Sequence, residues 1–144
     1  MVGKLGIGSV YCGYKTDRFR NIEEFREHCR GIAGAREGLP FLGHNGIVFK
    51  VMDKMFAMAR LEPKDGIDHA DLKCDPAYTA ELRESYAGIS PGHVKTTMLW
   101  HRVVLDSDVP DVLIAELIRH SVDEVLKAMP ASKRREYERA CSED

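Results

Sequence analysis

Apolar positions along this chain recur with two different periods, and the changes of period divide it into elements. Phe25, Cys29 and Ile32 repeat at four and three residues, which draws one apolar stripe along a helix. Asn21 and Glu24 have the spacing of a capping box, so the helix is expected to start there and to end at Gly31 or Gly34. Gly38, Pro40 and Gly43 break residues 35–45 into a loop. The period then shortens to two. Ile47, Phe49 and Val51 alternate with Val48, Lys50 and Met52, and residues 55–61 alternate in the same way, with Asp53-Lys54 as the hairpin turn between them.

A turn around Pro63 and Gly66 leads to a third strand near residues 67–74, with Ala70, Leu72 and Cys74 on one face and His69, Asp71 and Lys73 on the other. Asp75-Pro76 starts a short helix, because the carboxylate can cap free N–H groups and proline loses nothing in a first turn. Residues 98–105 read as a strand, with Trp100, Arg102 and Val104 facing away from Leu99, Val103 and Leu105. The longest helix follows, with Ser107 or Asp108 as cap, Pro110 in the first turn, a stripe through Leu113, Leu117, Ile118, Val122, Val125, Leu126 and Met129, and Pro130 as its stop. The order is α-β-β-β-α-β-α. Hairpin-linked strands with helices that must bury their stripes on one face make an α+β two-layer sandwich with a mainly antiparallel sheet. Residues 1–20 read as an extension in which residues 9–14 can add an edge strand, residues 21–130 as the domain, and residues 131–144 as a charged, solvated tail or helix.

Composition narrows the class without changing this picture. The chain has 144 residues, of which 44% are hydrophobic and 31% charged, as in one ordinary globular domain that needs no disulfide or metal to hold a core. No apolar run approaches the ~20 residues of a membrane span. Glycines interrupt the first twenty residues where a secretory signal would be continuous, so a cytoplasmic protein is expected. Cys12, Cys29, Cys74 and Cys141 are scattered without a C-x-x-C pair and read as reduced thiols. The net charge of −2 excludes a protein that coats nucleic acid through its overall field. The charge is uneven, however. Residues 61–90 and 106–129 are acidic, whereas residues 91–105 hold Lys95 and Arg102 and no carboxylate.

Candidate chemistry is sparse. Cys74 precedes a helix start that can favour a thiolate, but Asp75 opposes it and a free cysteine is usually a small buried apolar group. Histidines 28, 44, 69, 93, 101 and 120 lack zinc-ligand spacing, and Glu62, Asp65, Asp68, Asp71 and Asp75 read as turns and a solvated strand face, so no metal site is assigned. Gly6-Ile7-Gly8 lacks the third glycine and the βαβ unit of a dinucleotide fingerprint. No catalytic constellation or cofactor site can be placed, and a non-enzymatic protein is expected.

Several segments together resemble the MmcQ/YjbR family. They are I-E-E-F-R-E-H-C at 22–29, G-A-R-E-G-L-P-F at 34–41, V-F-K-V with K-M-F-A between 48 and 57, L-K-C-D-P at 72–76, Trp100, and V-P-D-V-L-I-A-E-L-I-R-H-S from 109. The resemblance covers about residues 21–130. It implies a sandwich similar to secretion chaperones and frataxins, and a DNA-binding role attached to a double-wing arrangement of hairpins. Before the tryptophan the family pattern resembles G-Y-H-M-N-K-x-x-W, whereas this chain has Val94, Thr96 and Thr97 at its His, Asn and basic positions.

The binding surface expected from these residues comprises Lys50, Lys73, His93, Lys95, Thr96, Thr97, Trp100 and Arg102. Its cations would neutralise phosphates, its threonines would donate to them, and an exposed Trp100 would stack on a base. DNA bound weakly and without sequence preference is therefore one expected partner. A protein partner or a second copy of the chain, docked as the secretion-chaperone resemblance implies, is the other.

Overall fold

A computed structural model describes residues 17–38, 46–63, 65–92 and 99–142. The elements are α1 (Ile22–Arg30), β1 (Arg36–Gly38), β2 (Gly46–Val51), β3 (Lys54–Arg60), β4 (His69–Lys73), α2 (Pro76–Ser85), β5 (Ile89–Pro91), β6 (Trp100–Val104), α3 (Asp111–Lys127) and α4 (Ala131–Ser142). Six strands form one antiparallel sheet in the order β1-β2-β3-β4-β6-β5. The fold is α+β, as the periodicities predict, with two short edge strands and a fourth helix added. The expected edge strand at 9–14 lies outside the described residues.

The helix starts follow from local chemistry. Asn21 Oδ1 accepts from Glu24 N–H at 3.0 Å, and the Asp75 carboxylate accepts from Ala77 and Tyr78 N–H at 3.1 Å each, with Pro76 in the first turn. The expected cap of the long helix is not made. Pro110 is its N-cap, and Asp108 instead accepts from Ala87 N–H at 2.7 Å and Gly88 N–H at 2.8 Å, tying the loop after α2. The β2–β3 turn is also shifted by one residue, to Met52 and Asp53. A two-residue hairpin turn of this hand needs positive φ at both central positions, and these two residues have φ of 50° and 67°.

Between β2 and β3 the register slips, so that Phe49 opposes Ala57 while Lys50 opposes Met55. Phe56 is the extra residue of this bulge. It turns inward beside Ala57, with its ring 6.3 Å from that of Phe49, which in turn meets Phe25 at 6.4 Å. The bulge interrupts the ladder to β4, and α3 repairs it. Ser121, fully buried on α3, donates to the Phe56 carbonyl and accepts from Lys73 N–H at 2.9 Å.

Ile47, Phe49 and Val51 of β2, Phe56, Ala57 and Ala59 of β3, Ala70 and Leu72 of β4 and Val103 of β6 pack on this face against Phe25, Ile114, Leu117 and Ile118. Phe19, within the expected extension, is fully buried in the same core, and its N–H donates to Asp111 at 3.1 Å. The last helix is docked as well, since Tyr137 is buried and its hydroxyl donates to the Ala33 carbonyl at 2.6 Å. Gly34, at φ +78°, makes room for that ring, because a Cβ there would lie 2.8 Å from Tyr137 Cε1.

Candidate nucleic-acid interface on the open sheet face

The helices cover one face of the sheet, and the register shows which side chains point to the other. Lys50 lies opposite Arg36, Lys73 opposite Trp100, and Asp71 opposite both Met58 and Arg102. Arg60, two residues beyond Met58, shares this face. Arg36, Lys50, Arg60, Lys73 and Arg102 therefore all project from the side that α1–α3 do not cover, the open face, on which Val48, Asp71 and Trp100 are nevertheless buried. Neighbouring strands lie about 4.8 Å apart, which puts the backbones of Lys50 and Lys73, two strands apart, roughly 10 Å from each other.

The cations differ in how they are partnered. Arg102 Nη2 contacts Asp65 Oδ2 at 3.1 Å. The Ile67 N–H, and then the Arg102 guanidinium, hold the Asp65 carboxyl below its ordinary range. Arg36, Lys50, Arg60 and Lys73 make no ion pair with a described residue. Arg36 and Lys50 are like charges directly across a strand pair, an arrangement that costs some stability where no anion lies between them. Among the described residues, Asp71 is the one carboxylate on a strand position of this face, and it is buried.

The structure brings together Lys50, Lys73, Trp100 and Arg102 of the residues picked out in the sequence. His93, Lys95, Thr96 and Thr97 lie outside the described residues. The role expected for Trp100 is corrected. Its side is the open face, but only 9% of it is accessible, and Lys73 Nζ sits 5.6 Å from its ring centroid. The ring is a platform under an ammonium group, and no open π-face is left for a base.

Arg36 and Arg60 escaped the sequence reading for different reasons. Arg36 falls in a stretch whose glycines and proline read as loop. At Arg60, strict alternation would put Phe56 on the same face as the cation; the bulge turns Phe56 inward and leaves the rest of the strand in phase with Lys50.

Beneath the helices, the remaining chemistry candidates are enclosed. Burial, then Asp75 and Glu124, push the Cys74 thiol up to about 12, so it is not a thiolate at neutral pH. Burial raises the Cys29 thiol as well. His101, opposite Leu72, is buried with Nδ1 2.9 Å from Thr79 Oγ1. His120 Nε2 accepts from Asp75 N–H at 3.1 Å, a bond that requires a bare lone pair on that nitrogen. No group of three or more His, Cys, Asp or Glu among the described residues could hold a metal ion. No helix among them is long and apolar enough to cross a membrane.

Comparison with known proteins places this fold in a family. The chain is 27% identical over 118 residues to the uncharacterized protein YjbR of Escherichia coli, in each of two strains, covering 79% of this chain and 94% of that protein. A crystal structure of a Deinococcus radiodurans protein with the DUF419 domain superposes with a TM-score of 0.73 at 30% identity, covering 83% of this chain and 88% of the other. A Pseudomonas syringae protein shares the fold at a TM-score of 0.61 and 22% identity, over 70% of this chain and 95% of that one. The YjbR family model matches residues 30–123, from the end of α1 through most of α3, and the chain belongs to the YjbR family.

Proposed function

We propose that this chain is a non-enzymatic module that binds nucleic acid through the phosphate backbone, on the open face of its sheet. The observation that carries the proposal is the like-charge pair Arg36–Lys50, continued on the same face by Arg60 and Lys73, with no ion pair to a described residue at any of the four. A solvated face ordinarily intersperses both signs. Here the described carboxylates at the face are Asp71, which is buried, and Asp65, which is paired with Arg102, while others gather elsewhere, as with Asp111, Glu116, Asp123 and Glu124 on α3 and Glu81 and Glu84 on α2.

Phosphate contacts position a protein on nucleic acid without reading its sequence. With Trp100 under Lys73, the described part of the face offers charge and no stacking surface. Binding is therefore weak, salt-dependent and indifferent to sequence. Arg102, already neutralised by Asp65, contributes less than Lys50 or Lys73.

Anisotropy of a labelled DNA duplex at low salt tests this. Lys50→Gln with Lys73→Gln is expected to lower affinity by about tenfold, on the scale of two lost phosphate contacts. The control Lys127→Gln with Lys133→Gln, on α3 and α4, is expected to leave it unchanged. Equal losses in both variants, or no binding by the native chain, would overturn this reading of the open face.

A further inference from the structure

We propose that His101 is an acid-sensitive latch: protonation of its buried imidazole releases α2 from the sheet. The ring lies on the helix-covered face of β6, between Leu72 of β4 and Pro91 of β5 in the register, and is 1% exposed. Thr79, itself buried on α2, meets Nδ1, while Nε2 is buried with no hydrogen-bond partner. Leaving a bare acceptor unpaired costs less than burying an unpaired N–H, so the tautomer consistent with the site has Nδ1–H donating to Thr79 and an empty lone pair at Nε2.

Protonation would place a charged N–H where no acceptor waits. The titratable groups that act on the ring are Arg83 on α2 and His120 on α3; β4 offers Leu72, the residue after β4 is Cys74 with a neutral thiol, and β5 offers Pro91. Arg83, and His120 whenever it carries a proton, oppose a positive ring, and no carboxylate acts to favour it. Burial, followed by His120 and Arg83, pulls the imidazole down to about 4. The cheapest escape is to open the layer above. That layer is α2, held down by Thr79, Leu82 and half-buried Tyr78 and tied at its start by the Asp75–His120 bond.

The direction follows from linkage. The folded-state value is depressed below the ~6.5 of a free histidine, so the stabilisation is complete above about 6.5 and is lost as pH falls toward 4. The ratio of folded to unfolded chain falls by up to roughly tenfold per pH unit across that window.

The test combines amide hydrogen exchange with histidine NMR on the full chain between pH 7.5 and 4.5. The expected result is a neutral, Nδ1-protonated His101 at pH 5, with amides of Thr79–Leu82 losing protection on acidification before those of α3, and loss of this local effect in His101→Leu. An imidazole that protonates near 6.5 in the folded chain overturns the latch, as does equal acid loss of protection in α2 and α3. Unchanged acid opening of α2 in His101→Leu would also overturn it. If that variant does not fold, the native-chain NMR and exchange measurements decide alone.

Discussion

The two faces of one sheet obey opposite rules. On the helix-covered face most of the polar groups described above have a specific partner: the bulge carbonyl of Phe56 and the Lys73 N–H share the Ser121 hydroxyl, and His101 Nδ1 meets Thr79, with His101 Nε2 the exception. On the open face, Arg36 faces Lys50, and Arg60 and Lys73 stand without an ion pair to a described residue. The first arrangement is what stability demands, since unsatisfied buried groups are expensive. The second gives up a little stability, and the proposed binding of phosphates accounts for it.

Substitutions can break or sharpen this contrast. The largest effect is expected at Phe56. Truncation to alanine empties the contact with Phe49 and should destabilise by about 3–5 kcal/mol in urea unfolding followed by Trp100 fluorescence. Next is Ser121→Ala, which leaves the Phe56 carbonyl and the Lys73 N–H unpartnered and should cost about 1–3 kcal/mol by the same measurement. A cost near zero would mean that the hydroxyl merely fills space.

Arg36→Glu distinguishes the faces most sharply, because it converts the like-charge pair with Lys50 into an opposite-charge one. Stability should rise by about 0.2–1 kcal/mol while duplex affinity falls. No core substitution predicts gains and losses divided in this way. The smallest effect belongs to Asp65→Asn, which releases Arg102 at the surface; affinity for DNA should increase by no more than about twofold, as befits an exposed ion pair.

Much of the fold was legible because strand and helix periods are robust to detail. The alternation of Ile47, Phe49 and Val51 against Val48 and Lys50 placed Lys50 outward, and the same parity placed Lys73 and Arg102 outward. Features set by backbone irregularity or by distant partners were not legible. The Phe56 bulge has no glycine or proline to announce it. Ser121 reads as a polar interruption of an apolar stripe until the sheet beneath it is known. Asp108 has the composition of a helix cap and serves a loop twenty residues upstream instead. Trp100 kept its expected face but not its expected exposure, because alternation fixes direction and says nothing about what lies over a side chain.

The slope of log affinity against log salt tests the central claim most directly, measured for the native chain and for Lys50→Gln with Lys73→Gln on the same DNA duplex. Each phosphate contact contributes about 0.9 to that slope, so the double variant should show a slope shallower by about 2. A slope identical to that of the native chain, at whatever affinity, would contradict the assignment of phosphate binding to the open face of the sheet.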